Sequence, residues 1–243
     1  DWSSDVCSSD LTGLLLRWIG RGPGAGTLYQ KEAMAVVGLS WILATVLGAL
    51  PFFLSETQTQ SGEPITFIEA MFESQSGFST TGATILTDLE SVAAVPRCIL
   101  FWRSWTHFLG GLGIIVLFVA ILGQGSSGKA MMKAEMPGPN KEGSKPRMQH
   151  TALVFASIYV SLNVILTVIY VLEGMSLYDA ACHAFGTMAT GGFSTYNSSL
   201  GHFDSPIIEY TTILFMILAG TNFTLLYATL LGGPIKLLKD TEF

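Results

Sequence analysis

Charge is what this sequence has least of. Only 12% of its 243 residues are Asp, Glu, Lys or Arg, about half the share a water-soluble domain carries. That leaves too little charge to cover a surface facing water, so the composition points to a membrane protein. Cysteine is scarce too. Cys7, Cys98 and Cys182 stand far apart with no CxxC pair, which argues against a zinc site or disulfide framework and leaves buried free thiols. A net charge of −6 does not suggest a nucleic-acid partner. The opening DWSSDVCSSDL lacks the basic flank and apolar run of a signal peptide. Residues 1–11 read as a non-native scar outside the fold.

Long apolar runs are what the sequence has in abundance. A helix needs about 20 mostly apolar residues to cross a bilayer. Four segments qualify: Ala33–Leu54, Cys98–Gly123, Thr151–Leu172 and Ile207–Leu231. LTGLLLRWIG, ahead of Arg21, reads as the end of a further helix. Basic residues orient the spans. Arg17, Arg21 and Lys31 precede the first, and Lys129, Lys133, Lys141, Lys145 and Arg147 separate the second from the third. Lys236 and Lys239 follow the fourth, leaving only Arg97 and Arg103 elsewhere. The positive-inside rule makes those flanks cytoplasmic. The connections 55–95 and 173–206 are then external, and neither holds a Lys or Arg.

Both external connections are too long and too apolar for simple loops. Each holds a short amphipathic piece, ITFIEAMFES from Ile65 and SLYDAACHAF from Ser176, of a length that suits a re-entrant helix better than a span. A Gly/Thr/Ser-rich stretch follows each: FSTTGAT after the first and TMATGGF after the second. The order span, short helix, glycine-rich stretch, span thus occurs twice. Laying Thr80–Thr84 on Ala189–Phe193 matches Gly82 with Gly191 and Gly77 with Gly186, with the acidic Glu69 and Asp179 one position out of step. Parallel repeats about an axis normal to the membrane are a known way to build a transport path.

Non-helical backbone at membrane depth is tolerated only when buried in protein or lining a water-filled cavity. Its unpartnered carbonyls are costly unless a cation or water meets them. A ring of carbonyl oxygens can replace the hydration shell of an ion, and glycine lets the backbone approach closely. The partly negative C-terminal ends of the short helices would favour a cation. No Asp or Glu falls within TTGAT or ATGGF. That absence favours a weakly held monovalent cation over Ca²⁺ or Mg²⁺, which prefer carboxylates. The competing reading is a pair of helix-end turns with glycine caps.

FESQSGFSTTGAT, FWRSWTHFLGGLGIIVL and HAFGTMATGGFST closely resemble the Trk-type potassium uptake proteins (the TrkH/KtrB family, with plant HKT transporters as relatives). The resemblance implies an all-α membrane protein whose pore is built from four repeats of helix, pore helix, filter and helix. It implies that the potassium ion is held by filter carbonyls. On that basis Thr80, Thr81 and Gly82 form one quarter of the filter, and Ala189, Thr190 and Gly191 a second. In such proteins a serine at the first filter glycine goes with sodium permeation, so Gly82 argues for potassium. Residues 12–32 become a remnant of a leading helix and its cytoplasmic flank, 33–123 the first pore repeat, 124–149 a cytoplasmic linker and 150–243 the second repeat. The remaining repeats would follow Phe243. The resemblance also implies a bacterial inner-membrane location, a homodimer and a cytoplasmic nucleotide-binding regulatory subunit beneath the linker.

A charge within a span usually faces an interior partner, and for Arg103 that partner is expected to be Glu73, at the end of the first short helix. Arg97 reads as a boundary residue, and His107 as a packed, hydrogen-bonded core histidine. His183 would bond at the second pore helix. Gly110, Gly111 and Gly113 suit close helix packing. GQGSSGKA from Gly123 falls short of a phosphate-binding loop, because Ala130 stands where Ser or Thr would hold Mg²⁺ and no strand precedes it. Covalent catalysis is not expected. The alternatives are a sodium-permeable relative, a non-conducting scaffold and an intramembrane hydrolase pairing Ser79 with His107.

Overall fold

The computed structural model describes residues 30–124, 144–221 and 226, except 56, 60, 61, 92 and 93. The 1–11 segment, the helix remnant near Leu14, GQGSSGKA beyond Gln124 with most of the linker, and the C-terminal lysines lie outside the described residues. Helix α1 is Gln30–Leu54, α2 Phe67–Phe78, α3 Arg97–Gln124, α4 Ser144–Leu172, α5 Leu177–Met188 and α6 Pro206–Gly220. A 3₁₀ turn, Ser199–Phe203, precedes α6. Among the described residues there is no strand, only an isolated antiparallel bridge between Gln58 and Pro64. The chain divides into two compact units. Of Asp1–Leu39 only the start of α1 is described, and Ser40–Phe243 holds everything below.

The elements fall into two runs of long helix, short helix and long helix. Within α1 and α4, Val37–Leu54 and Thr151–Leu172 are long and apolar enough to cross a membrane, with mean hydropathy 2.0 and 2.3. Much of their surface is bare: Ile42 and Leu54 on α1, and Leu153, Val164, Val168 and Leu172 on α4, are exposed. In each run the short helix is enclosed by its own apolar cluster. Ala49, Phe52, Ala70, Leu86, Val95 and Leu100 form the first. Leu166, Tyr170, Ala180, Ala184, Ile208 and Phe215 form the second. Helix α3 joins the runs by packing on α4 and α5.

Two boundaries differ from expectation. Helix α4 starts at Ser144, taking Lys145 and Arg147 from the expected linker. Pro146 permits this because proline is tolerated in a first helical turn. Helix α6 ends at Gly220, inside the expected span, and of residues 222–231 only 226 is described. Thr221 turns extended at φ −76°, ψ 144°, its hydroxyl donating back to the Ile217 carbonyl at 2.8 Å. Glycine already weakens a helix by about 1 kcal/mol relative to alanine.

The glycines of α3 serve three different neighbours. Gly110 abuts the Phe78 carbonyl at the end of α2, Gly111 the Tyr159 hydroxyl of α4, and Gly113 the Trp41 ring of α1. A side chain at Gly110 would overlap backbone that cannot swing aside. Gly110→Val is therefore expected to destabilise the fold by about 1–3 kcal/mol. The loss should appear as a lower melting temperature in detergent. Gly201→Ala, with nothing within 4 Å of the added methyl, should leave melting unchanged.

Candidate functional site

The two short helices begin alike. Thr66 caps α2, its hydroxyl accepting from the Glu69 N–H at 3.3 Å while the Glu69 carboxylate accepts from the Thr66 N–H at 2.7 Å. Ser176 caps α5, accepting from the Asp179 N–H at 3.1 Å. A hydroxyl cap with an acid three residues on satisfies donors the helix itself leaves free.

They also end alike. After the cap residue Ser79, the Thr80 N–H donates to the Gly77 carbonyl and the Thr81 N–H to the Ser76 carbonyl. After Ala189, Thr190 donates to Thr187 and Gly191 to Gly186 in the same pattern. Both ends are Schellman motifs, which demand a left-handed residue just past the cap. Glycine usually fills that position, yet here it is threonine in both copies, Thr80 at φ +53° and Thr190 at φ +55°. A β-branched residue there is a true outlier, costing about 1–3 kcal/mol. Gly82 (φ +74°) and Gly192 (φ +86°) follow two residues later.

This geometry moves the expected register by one. Thr66 matches Ser176, Glu69 matches Asp179, Thr80 matches Thr190 and Gly82 matches Gly192. The alignment of Gly82 on Gly191 is corrected: it equated a left-handed glycine with one whose φ is not positive. In the backbone register the counterpart of Thr80, Thr81 and Gly82 is Thr190, Gly191 and Gly192. Ala189, expected in the filter, is the buried cap of α5. The two stretches meet, since a β-carbon on Gly82 would overlap the Gly191 carbonyl oxygen.

The chain leaving each turn is braced from behind by its own short helix. In the first copy, Glu73 Oε1 accepts from the Thr84 hydroxyl (2.6 Å) and the Ile85 N–H (2.7 Å). In the second, His183, at the position matching Glu73, lies 2.9 Å through Nε2 from the Ser194 hydroxyl. Asp179 adds bonds from Thr195 (2.9 Å) and the Tyr196 hydroxyl (3.1 Å). The structure brings Arg103 and Glu73 together, Nε to Oε2 at 3.1 Å, with side chains 2% and 0% exposed. Arg97, by contrast, is exposed at the start of α3.

His107 is buried and stacked on Phe193, with ring centroids 4.0 Å apart. Its nitrogens find no hydrogen-bond partner among the described residues. The expected core histidine is therefore packed but not hydrogen-bonded. Its ring fills the space a side chain at residue 191 would need. The Ser79 hydroxyl bonds the Gln75 carbonyl at 2.7 Å and Thr81 at 2.8 Å, and it makes no hydrogen bond to His107.

The profile of the TrkH family, described as cation transport protein, matches residues 18–242. The chain belongs to the TrkH family. It is 41% identical over 234 residues to the Trk system potassium uptake protein TrkH of Escherichia coli K12, covering 95% of this chain and 47% of that protein. It is 38% identical over 218 residues to the TrkG protein of the same organism, covering 88% and 43%. The crystal structure of the potassium transporter TrkH from Vibrio parahaemolyticus superposes with a TM-score of 0.77 at 34% identity, over 96% of this chain and 46% of that one. This TrkH-family chain thus spans about half the length of the curated relatives it matches. Its fold is that of an all-α membrane transporter with pore-helix repeats.

Sequence reasoning missed Thr84 and Ser194 as the anchored residues. The signal was present in the hydroxyl four residues beyond each left-handed threonine. Two expectations follow. Thr80→Gly should raise stability by about 1 kcal/mol by relieving the left-handed strain, read as a higher melting temperature. The second concerns Asp88, which accepts from the Asn197 amide and from the N–H groups of Glu90 and Ser91. Those bonds, the one from Asn197 first, hold its carboxyl below the usual carboxylate range. A depressed acid stabilises above its unfolded pKa, near 3.9, and loses that contribution as pH falls through the folded value. In an NMR titration Asp88 should titrate below about 3.9, and Asn197→Ala should move it back up.

Proposed function

We propose that this chain supplies two quarters of the selectivity filter of a Trk-type potassium uptake pore. The observation that carries the reading is the matched pair of helix ends. Each runs into a left-handed threonine and then a glycine with positive φ, and the two stretches touch. Among the described residues, the carbonyls of Thr80, Thr81 and Gly82 accept no hydrogen bond and can face an ion. So can those of Thr190, Gly191 and Gly192, with Ala189 at the edge of the set.

The chemistry suits a monovalent cation. The buried carboxylates of the two short helices, Glu73 and Asp179, are occupied by hydrogen bonds from the chain beyond each stretch. Neutral carbonyls can replace a hydration shell without holding the ion so tightly that it cannot leave. Ions would move down their electrochemical gradient, with no covalent step. Two further repeats are needed to close the ring. The setting is a bacterial inner membrane, lipid against the bare faces of α1 and α4, and the N-terminal flank and central linker cytoplasmic. By family resemblance the assembly is a homodimer seated on a nucleotide-binding regulatory subunit.

The test uses E. coli cells deprived of their own potassium uptake systems. Joined to the C-terminal half of the E. coli TrkH protein, the chain should restore growth at low potassium; alone it should not. Gly82→Ser in the joined protein should lower potassium over sodium selectivity, because the added side chain collides with the Gly191 carbonyl. An unchanged ratio would show that Gly82 lies outside the filter.

A further inference from the structure

Each filter stretch has a brace of its own, Glu73 in the first copy and His183 in the second. One side chain crosses between them. Arg103 gives its Nε–H to Glu73 Oε2 at 3.1 Å and its Nη1–H to the Ser194 carbonyl, also at 3.1 Å. Its guanidinium carbon lies 3.6 Å from the centroid of the Phe193 ring, directly after the second stretch. Glu73 meanwhile holds Thr84 and Ile85, two and three residues beyond the first. A continuous chain of bonds therefore runs from the exit of one stretch to the exit of the other, all of it through the Glu73–Arg103 pair.

The second copy does without this tie. Matching Pro96 before α3 with Pro206 at the start of α6 puts Ile213 where α3 has Arg103, and Ile213 is exposed. The repeat unit folds without a buried guanidinium at that place, so enclosing a helix pair does not explain the charge. A planar fork that bonds two acceptors while stacking on a ring is a task for arginine and not for lysine.

We propose that Arg103, oriented by Glu73, is a positioning residue for ion selection, setting how far apart the two filter stretches are held. The inference rests on the filter reading above. Discrimination among alkali ions depends on how carbonyl ligands are held around the ion, and Arg103 bonds backbone two residues beyond the second set.

The experiment measures potassium and sodium permeability, together with the folded amount and melting temperature, for the complete four-repeat transporter. Glu73→Gln keeps an acceptor for Thr84 and Ile85 but turns an amide against the guanidinium. Arg103→Lys keeps the charge and loses the fork. Glu73→Gln combined with Arg103→Met removes both charges, so no lone buried charge opposes folding. All three should still transport, with the potassium to sodium ratio lowered about tenfold, the scale of one charge-assisted hydrogen bond. Tyr178→Phe removes a 2.6 Å bond to the Arg97 carbonyl away from the filter and should leave the ratio unchanged. A wild-type ratio in the variants would overturn the proposal. So would a double variant that cannot fold, since the pair would then be structural. A wild-type transporter that does not select potassium would overturn the filter reading, and this inference with it.

Discussion

Backbone that leaves a helix among apolar surroundings must have its polar groups met, and this requirement organises both halves of the molecule. The helix ends meet part of it themselves, through the paired bonds that fold Thr80 and Thr190 back over their last turns. The limbs leaving those turns meet another part from behind, through Glu73 and His183. The carbonyls left over, at the turns themselves, have no partner of this kind among the described residues. Threonine in a left-handed conformation is the visible cost of the arrangement. Strain of that kind persists only where surrounding structure over-determines it, and here the capping bonds and rear braces do so.

The two copies solve the same problem with different chemistry. Where the first uses a carboxylate, the second uses an imidazole. The Glu73 carboxylate pairs with Arg103 in the first copy, whereas the Asp179 carboxylate of the second is met by the hydroxyls of Ser176, Thr195 and Tyr196. Breaking one side of such a buried pair generally costs about 3–5 kcal/mol. The ring stack of His107 on Phe193 completes the rear wall without hydrogen bonds. Phe193 therefore lies between a histidine and an arginine, fixing the backbone just past Gly192.

The spans and the short helices were legible because hydrophobic length and hydroxyl caps are local signals. The backbone register of the repeat was not, because two glycines in ATGGF offered two alignments and the glycine pattern favoured the one that the left-handed residues do not follow. The caps held the better clue. Glu69 and Asp179 each sit three residues past a hydroxyl cap, and matching them fixes where both helices begin and end. An apolar count also ran through the break at Thr221, since hydropathy does not register where a backbone leaves helical dihedrals. The partner of Arg103 could be read from the sequence because a charge in a span needs one. Its second bond, to the Ser194 carbonyl, was not legible, because backbone acceptors carry no residue signature.

The most direct test of the central claim is anomalous scattering from crystals of the complete transporter grown in thallium, an electron-rich stand-in for potassium. The account predicts a peak within coordination distance of the carbonyls of Thr80 to Gly82 and of Thr190 to Gly192, on an axis both stretches share. Thallium confined to sites away from these turns, or either turn found wound into helix, would contradict it.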